Sequence, residues 1–188
     1  MFRRLLWMLL IATVALPAPA LADEYAETIK VFKEAGESKR FFNNAYGYAV
    51  FPTIGKGGIG VGGAYGKGRV YRKGKHVGDT SVTQVSIGLQ LGGQAYSQII
   101  FFEDERAFKE FTGGSFEFGA DASAVAITAG VGGKAGTTGA SAGASGGKHD
   151  AETIGKYQNG MATFTVAKGG LMYEASIGGQ KFGYTPLN

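Results

Sequence analysis

The sequence predicts a mostly β (α+β) fold: a single antiparallel, strongly curved or barrel-like β domain with an N-terminal amphipathic helix and one short internal helix. Three observations carry this expectation. From Tyr46 to Tyr71, YGYAVFPTIGKGGIGVGGAYGKGRVY, aromatic and β-branched residues alternate with glycine instead of with charge. Successive strand side chains point to opposite faces, so Ile59, Val61 and Tyr65 would share one face. Gly58, Gly60 and Gly62 would leave the other nearly bare, open to a neighbouring backbone or a bulge. The hydrophobic period is helical before Gly47 and two after it. The 33 glycines all follow residue 22 but bring few prolines, since only Pro52 and Pro186 lie beyond that point. Phe, Tyr, Ile and Val recur in the same segments, which argues for packing over disorder.

The elements follow in order. Residues 1–22 have the form of a secretory signal peptide: Arg3 and Arg4 supply the positive region, Leu5 to Leu16 the apolar stretch, and Ala20-Leu21-Ala22 the cleavage site. The apolar stretch is short against the roughly 20 residues that span a bilayer. The chain is therefore expected to be exported and released, periplasmic or secreted, after cleavage near Ala22-Asp23. No cysteine is present for lipid modification, so it is not expected to be a lipoprotein. Residues 23–44 read as one helix, with Tyr25, Ile29 and Phe32 at helical spacing, acids in the first turn, and Lys39 and Arg40 near the far end. Residues 45–188 complete the same globular domain. Strands are expected at 48–54, 59–65, 68–71, 81–91, 95–102, 115–118, 122–129, 161–167, 171–177 and 181–184. Val85, Ile87, Leu89 and Leu91 form the cleanest apolar face among them. EDERAFKEFTGG predicts a short helix with acids at its start, Phe108 and Phe111 for the core and Gly113 as a stop. The Gly/Ala/Ser/Thr run 134–150 has no apolar periodicity and is expected to be a mobile loop.

Charge and composition narrow the function. Loss of the first 22 residues removes two arginines and no acid, so the formal charge of +4 falls by two. That weak basicity gives no reason to expect nucleic acid, whose binders concentrate positive charge on one face. Without cysteine there is no disulfide, thiolate zinc site or thiol chemistry. Two G-x-S-x-G matches, 139–143 and 143–147, lack the strand and helix that a nucleophile elbow needs. Gly58, Gly60 and Gly63 fit G-x-G-x-x-G, but strand residues continue where a phosphate-binding helix would have to begin. His76 and His149 have no ligand partners at metal-site spacing, Asp150 and Glu152 beside His149 making at most a weak surface cation site. Glu103-Asp104-Glu105 reads as a helix start. No catalytic constellation, metal site or cofactor is expected.

Surfaces remain. Lys67, Arg69, Arg72, Lys73 and Lys75 crowd an apparent hairpin turn at Gly74, with Tyr65 and Tyr71 nearby. Basic residues beside interfacial aromatics suit an anionic membrane surface; lysines also protect an edge hairpin from aggregation. The N-terminal helix is a second candidate, with Lys30, Lys33, Lys39 and Arg40 around its apolar stripe, although Glu27, Glu34 and Glu37 make its polar face mixed.

Ordered blocks extend over residues 45 to 184: YGYAVFPTIGKGGIGVGG, GRVYRKGKHVG, SIGLQLGGQAYSQIIFF and MATFTVAKGGLMYEASIGGQKFGY. In these blocks the chain resembles the SYLF-domain family. The resemblance implies a lipid-binding domain, with an N-terminal amphipathic helix often implicated and actin binding in some eukaryotic members. It draws attention to 57–63 and to Lys168-Gly169-Gly170. The function expected is an exported, non-enzymatic module that binds anionic phospholipid headgroups at a membrane surface. The alternatives are an envelope structural protein that self-associates or meets a protein partner through its Gly-rich strands, and a small outer-membrane barrel. Against the barrel, the C-terminus Thr185-Pro186-Leu187-Asn188 lacks a final aromatic.

Overall fold

A computed structural model of the chain describes residues 23–59, 61–87, 94–127, 156–168 and 177–188. Three long strands form the centre: β1 (Gly47–Ile59), β2 (Val61–Arg72) and β3 (Lys75–Ile87). β4 (Gln94–Phe102) lies on the other flank of β1. Then follow α4 (Glu105–Thr112), β5 (Phe116–Glu117), β6 (Val125–Ile127), β7 (Met161–Lys168) and β8 (Lys181–Pro186). The spatial order of the eight-stranded sheet is β5-β8-β3-β2-β1-β4-β7-β6. The fold is the mostly β, strongly curved domain that the sequence predicts, with one departure: β6 pairs parallel to β7, so the sheet is mixed.

Curvature follows from the connectivity. The segment 116–127 supplies both edge strands, pairing Phe116 with Phe182 at one margin and Val125 with Phe164 at the other. Seven inter-strand gaps of a flat sheet would span about 34 Å, whereas the chain from Glu117 to Val125 reaches at most about 29 Å. The sheet must bend until the short segment can bridge it, and the result is a half-barrel.

Local sequence explains the central strands. Pro52 has no N–H to give a ladder, and the register of β1 shifts against both β2 and β4 between Val50 and Ile54. Ser97 Oγ donates to the freed Pro52 carbonyl at 2.7 Å. The strands expected at 48–54, 59–65 and 68–71 are two longer ones, because the chain reverses between Ile59 and Val61, which pair with each other. Gly58, with φ of +152°, and Gly62 face each other directly beside that reversal. The second turn, expected at Gly74, is there, with Lys73 and Gly74 both at positive φ.

The N-terminal region is not one helix. α1 (Glu24–Glu34) stops where Ala35 turns extended, before Gly36, and two single turns follow, α2 (Gly36–Lys39) and α3 (Phe41–Asn44). Asp23 caps α1 by accepting from Tyr25 N–H, and Asp104 caps α4 by accepting from Ala107 N–H at 2.8 Å. That cap makes the acidic run 103–105 the helix start expected of it.

The sheet has a core on each face. On the inner, concave face Phe51, Ile54, Val82, Ile100, Phe102 and Phe182 pack against Phe108 and Phe111 of α4. On the outer face Val50, Ile99, Phe101 and Phe164 pack under Phe32 of α1 and Phe41 of α3. The helices cover only the half of that face near the β2–β3 turn. The strand expected at 171–177, the loop 134–150, the G-x-S-x-G matches, His149, Leu89 and Leu91 lie outside the described residues.

Candidate functional site

β2 reverses the usual assignment of its faces. Gly62, Ala64, Gly66 and Gly68 point inward and are buried, while Val61, Tyr65 and Lys67 point outward. The cause is crowding on the concave side: a Cβ on Gly68 would meet the Phe51 ring at 2.6 Å, and one on Gly66 would meet Ile54 Cγ1 at 2.7 Å. Large side chains of β1 thus claim the interior and β2 yields it. For the same reason Val85, expected on the apolar face of its strand, stands on the outside, while Gln84 turns inward and donates to the Gly178 carbonyl.

The uncovered half of the outer face is laid out in cross-strand rows. One row runs Lys168, Ala95, Gly55, Tyr65, Thr83 across β7, β4, β1, β2 and β3. The row nearer the helices places Thr53 opposite Lys67. Lys168 Nζ leans into it and donates to Thr53 Oγ1 at 2.7 Å. Thr53 thus has one lysine hydrogen-bonded to it and a second as its cross-strand partner, and among the described residues neither ammonium pairs with a carboxylate. Toward the β1–β2 turn the face becomes apolar: Val61, Tyr65 and Val85 are 66%, 53% and 76% exposed.

Of the twelve residues singled out in the sequence, the structure brings Tyr65, Lys67 and Lys168 together. Arg69 shares their face but is engaged, 3.0 Å from Asp23 Oδ2 and 4.0 Å from the Tyr25 ring. Tyr71 stacks on Tyr48 with centroids 5.1 Å apart; burial lifts the Tyr48 phenol to about 12. Arg72, Lys73 and Lys75 belong to the opposite end of the hairpin, since six strand residues place Lys73 about 20 Å from Lys67. Arg72 there lies over the Phe108 ring at 5.9 Å. On the helices Lys30 pairs with Glu34 at 3.9 Å, Lys33 lies over Phe42 and Arg40 over Phe41, while Lys39 closes α2. The basic hairpin read from sequence is thus split, Lys67 lying with Lys168 at one end and Arg72, Lys73 and Lys75 at the other, while the helix lysines remain a separate group.

Sequence reasoning put Val61 with Tyr65 on the populated face of its strand but singled out none of Thr53, Val61 and Val85 as a member of the surface. The inward glycines of β2 were the available signal, because glycine at every second position from 62 to 68 means that the opposite face must be the populated one. His76 Nε2 lies 3.0 Å from Asp79 Oδ1 and 3.1 Å from the Gly78 carbonyl, a local turn contact. Beyond Gly63 the chain continues as strand to Arg72, so the G-x-G-x-x-G residues form a hairpin. A cavity of about 200 Å³ beside Phe118, Val125, Met161 and Ile177 is smaller than the roughly 300 Å³ at which small-molecule sites begin.

A family model described as "Ysc84: Las17-binding protein actin regulator" matches residues 83–183. Beta cell expansion factor A of Aeromonas veronii is similar, 33% identical over 158 residues, which take in 82% of this chain and 51% of that protein. The chain thus spans about half the length of the curated relative it matches.

Proposed function

Because the chain belongs to the Ysc84 (SYLF) family of lipid- and actin-binding domains, we propose that it is an exported, non-catalytic module that binds anionic phospholipid headgroups at a membrane surface. The observation that carries this reading is the placing of Lys67 and Lys168 on either side of Thr53, Lys168 bonded to it and Lys67 its cross-strand partner, on a sheet face that no described helix covers. Two ammonium groups without a carboxylate partner among the described residues, and a hydroxyl, offer a phosphate both charge and hydrogen-bond donors. Each lysine near an anionic leaflet contributes about 1 kcal/mol, an attraction that decays over the ~8 Å Debye length of physiological salt. Export is supported by the basic-apolar-small order of residues 1–22, and Asp23, where processing would leave the new terminus, is already the cap of α1. Export also favours lipid over actin, because a chain exported from a bacterial cell leaves the compartment where actin would be expected.

The test is flotation of the chain beginning at Asp23 with phosphatidylcholine vesicles, with and without phosphatidylglycerol. Binding is expected with the anionic vesicles at low salt and should weaken as salt rises. Lys67→Glu with Lys168→Glu should reduce it by about tenfold or more, whereas Lys73→Glu with Lys75→Glu should leave most of it. Equal loss from both pairs, or from neither, would reject the site.

A further inference from the structure

We propose that the uncovered half of the outer face is the surface that enters the bilayer, with Val61, Tyr65 and Val85 below the phosphate level and Lys67 and Lys168 at it. The inference rests on the lipid reading above and adds the orientation and depth of the bound molecule. Large exposed hydrophobics elsewhere in the described chain, Val31 and Leu187, stand apart, whereas these three occupy neighbouring positions on β2 and β3. A cluster of this kind beside polar groups marks an interaction surface, and a tyrosine with a wet hydroxyl suits the interface.

The helical layer shows where cover ends. Asp23, the first residue of the cap, sits on Arg69, and α1 runs from there over Val50 and Phe101. Among the described residues, the rows of the face that lie beyond Arg69 toward the β1–β2 turn therefore have no helix above them. Gly55 and Gly57 lie among those rows at ordinary φ, and a Cβ on either would meet nothing within 4 Å. Packing inside the chain does not require glycine there, and bare backbone lowers the surface around Tyr65 so that the three side chains stand proud of it.

Charge selects the occupant. Two copies stacked through this face would bring Lys67 and Lys168 against their own kind, and the acids on flanking strands, Asp79 and Glu117, are already held by His76 and Lys181. An anionic bilayer meets the lysines with phosphate and the apolar corner with acyl chain.

The chain has no native cysteine, so single substitutions Val61→Cys, Val85→Cys and Lys73→Cys can each carry an environment-sensitive fluorophore. With phosphatidylcholine–phosphatidylglycerol vesicles the labels at 61 and 85 should shift to the blue and be quenched by nitroxide-bearing lipid, while the label at 73 should not respond. Gly57→Glu, placed in open space, should keep the melting temperature and lower flotation about tenfold. Flotation without response at 61 and 85 would overturn this orientation and leave the lipid reading standing. Absence of flotation by the unlabelled chain would overturn both. A blue shift that grows with protein concentration and needs no vesicles would overturn the orientation in favour of a second copy.

Discussion

Glycine serves two opposite ends in this sheet. Gly68 is a necessity, because any side chain there would press on Phe51 and on the Val50 carbonyl, 2.8 Å from its Cβ position. Gly55, three cross-strand pairs further along the same hairpin, is a vacancy facing solvent. Gly68→Ala should therefore destabilise by about 1–3 kcal/mol through overpacking. Gly55→Ala should be neutral or stabilise by about 0.5–1 kcal/mol, since glycine weakens a strand interior. Urea unfolding of the two variants checks both, and an equal loss would mean that the two faces are packed alike. The sequence showed that glycine faces allow close approach. It did not show by what, because the answer, Phe51 and Ile54, depends on a register that shifts at Pro52.

Among the elements, α1 is held at its start by a contact between residues 46 apart in the chain. Arg69 joins the Asp23 carboxylate to the Tyr25 ring. An exposed ion pair contributes about 0.2–1 kcal/mol and a cation–π contact about 0.5–1 kcal/mol, enough to fray one helix end but not to unfold the sheet. Arg69→Gln should speed amide hydrogen exchange in α1 while leaving β1 and β4 protected; uniform acceleration would show that the helix is not a separate unit. Tyr25, Ile29 and Phe32 made this helix legible, and the acids and phenylalanines of α4 did the same for that element. The break at Ala35 was not legible, because alanine and a single glycine do not stop a helix unless packing elsewhere does. The basic hairpin misled for a related reason. Spacing along the chain brought Lys67 and Lys73 together, and an extended strand separates them.

At the scale of the molecule one sheet serves two cores, and buried phenols lie on both sides of it. Tyr96, in the inner core beside the Gln98–Gln180 amide pair, and Tyr48 and Tyr157, in the outer one, are each pushed by burial from 10.0 to about 12. Below pH 10 the phenols are neutral whether the chain is folded or not, and they confer no pH dependence. Between pH 10 and 12 the unfolded chain releases protons that the folded one retains, so stability must fall as pH rises through this window. Melting temperatures followed by circular dichroism should be flat from pH 8 to 10 and decline above it, with both cores lost together; a flat profile to pH 12 would mean that the phenols are hydrated. The bridge made by residues 116–127 bears on how such a sheet is assembled. β8, which lies later in the sequence than every other described strand, is interior in space, seated between β3 and β5. Gly78 finds its partner Pro186 only after more than a hundred further residues have been added. The β1–β2–β3 meander can form early from local contacts, but β5 has nothing to bind until β8 arrives. Closure is therefore a late, non-local and slow event, and a nascent chain awaiting it presents the open flank of β3 to whatever holds it in the meantime.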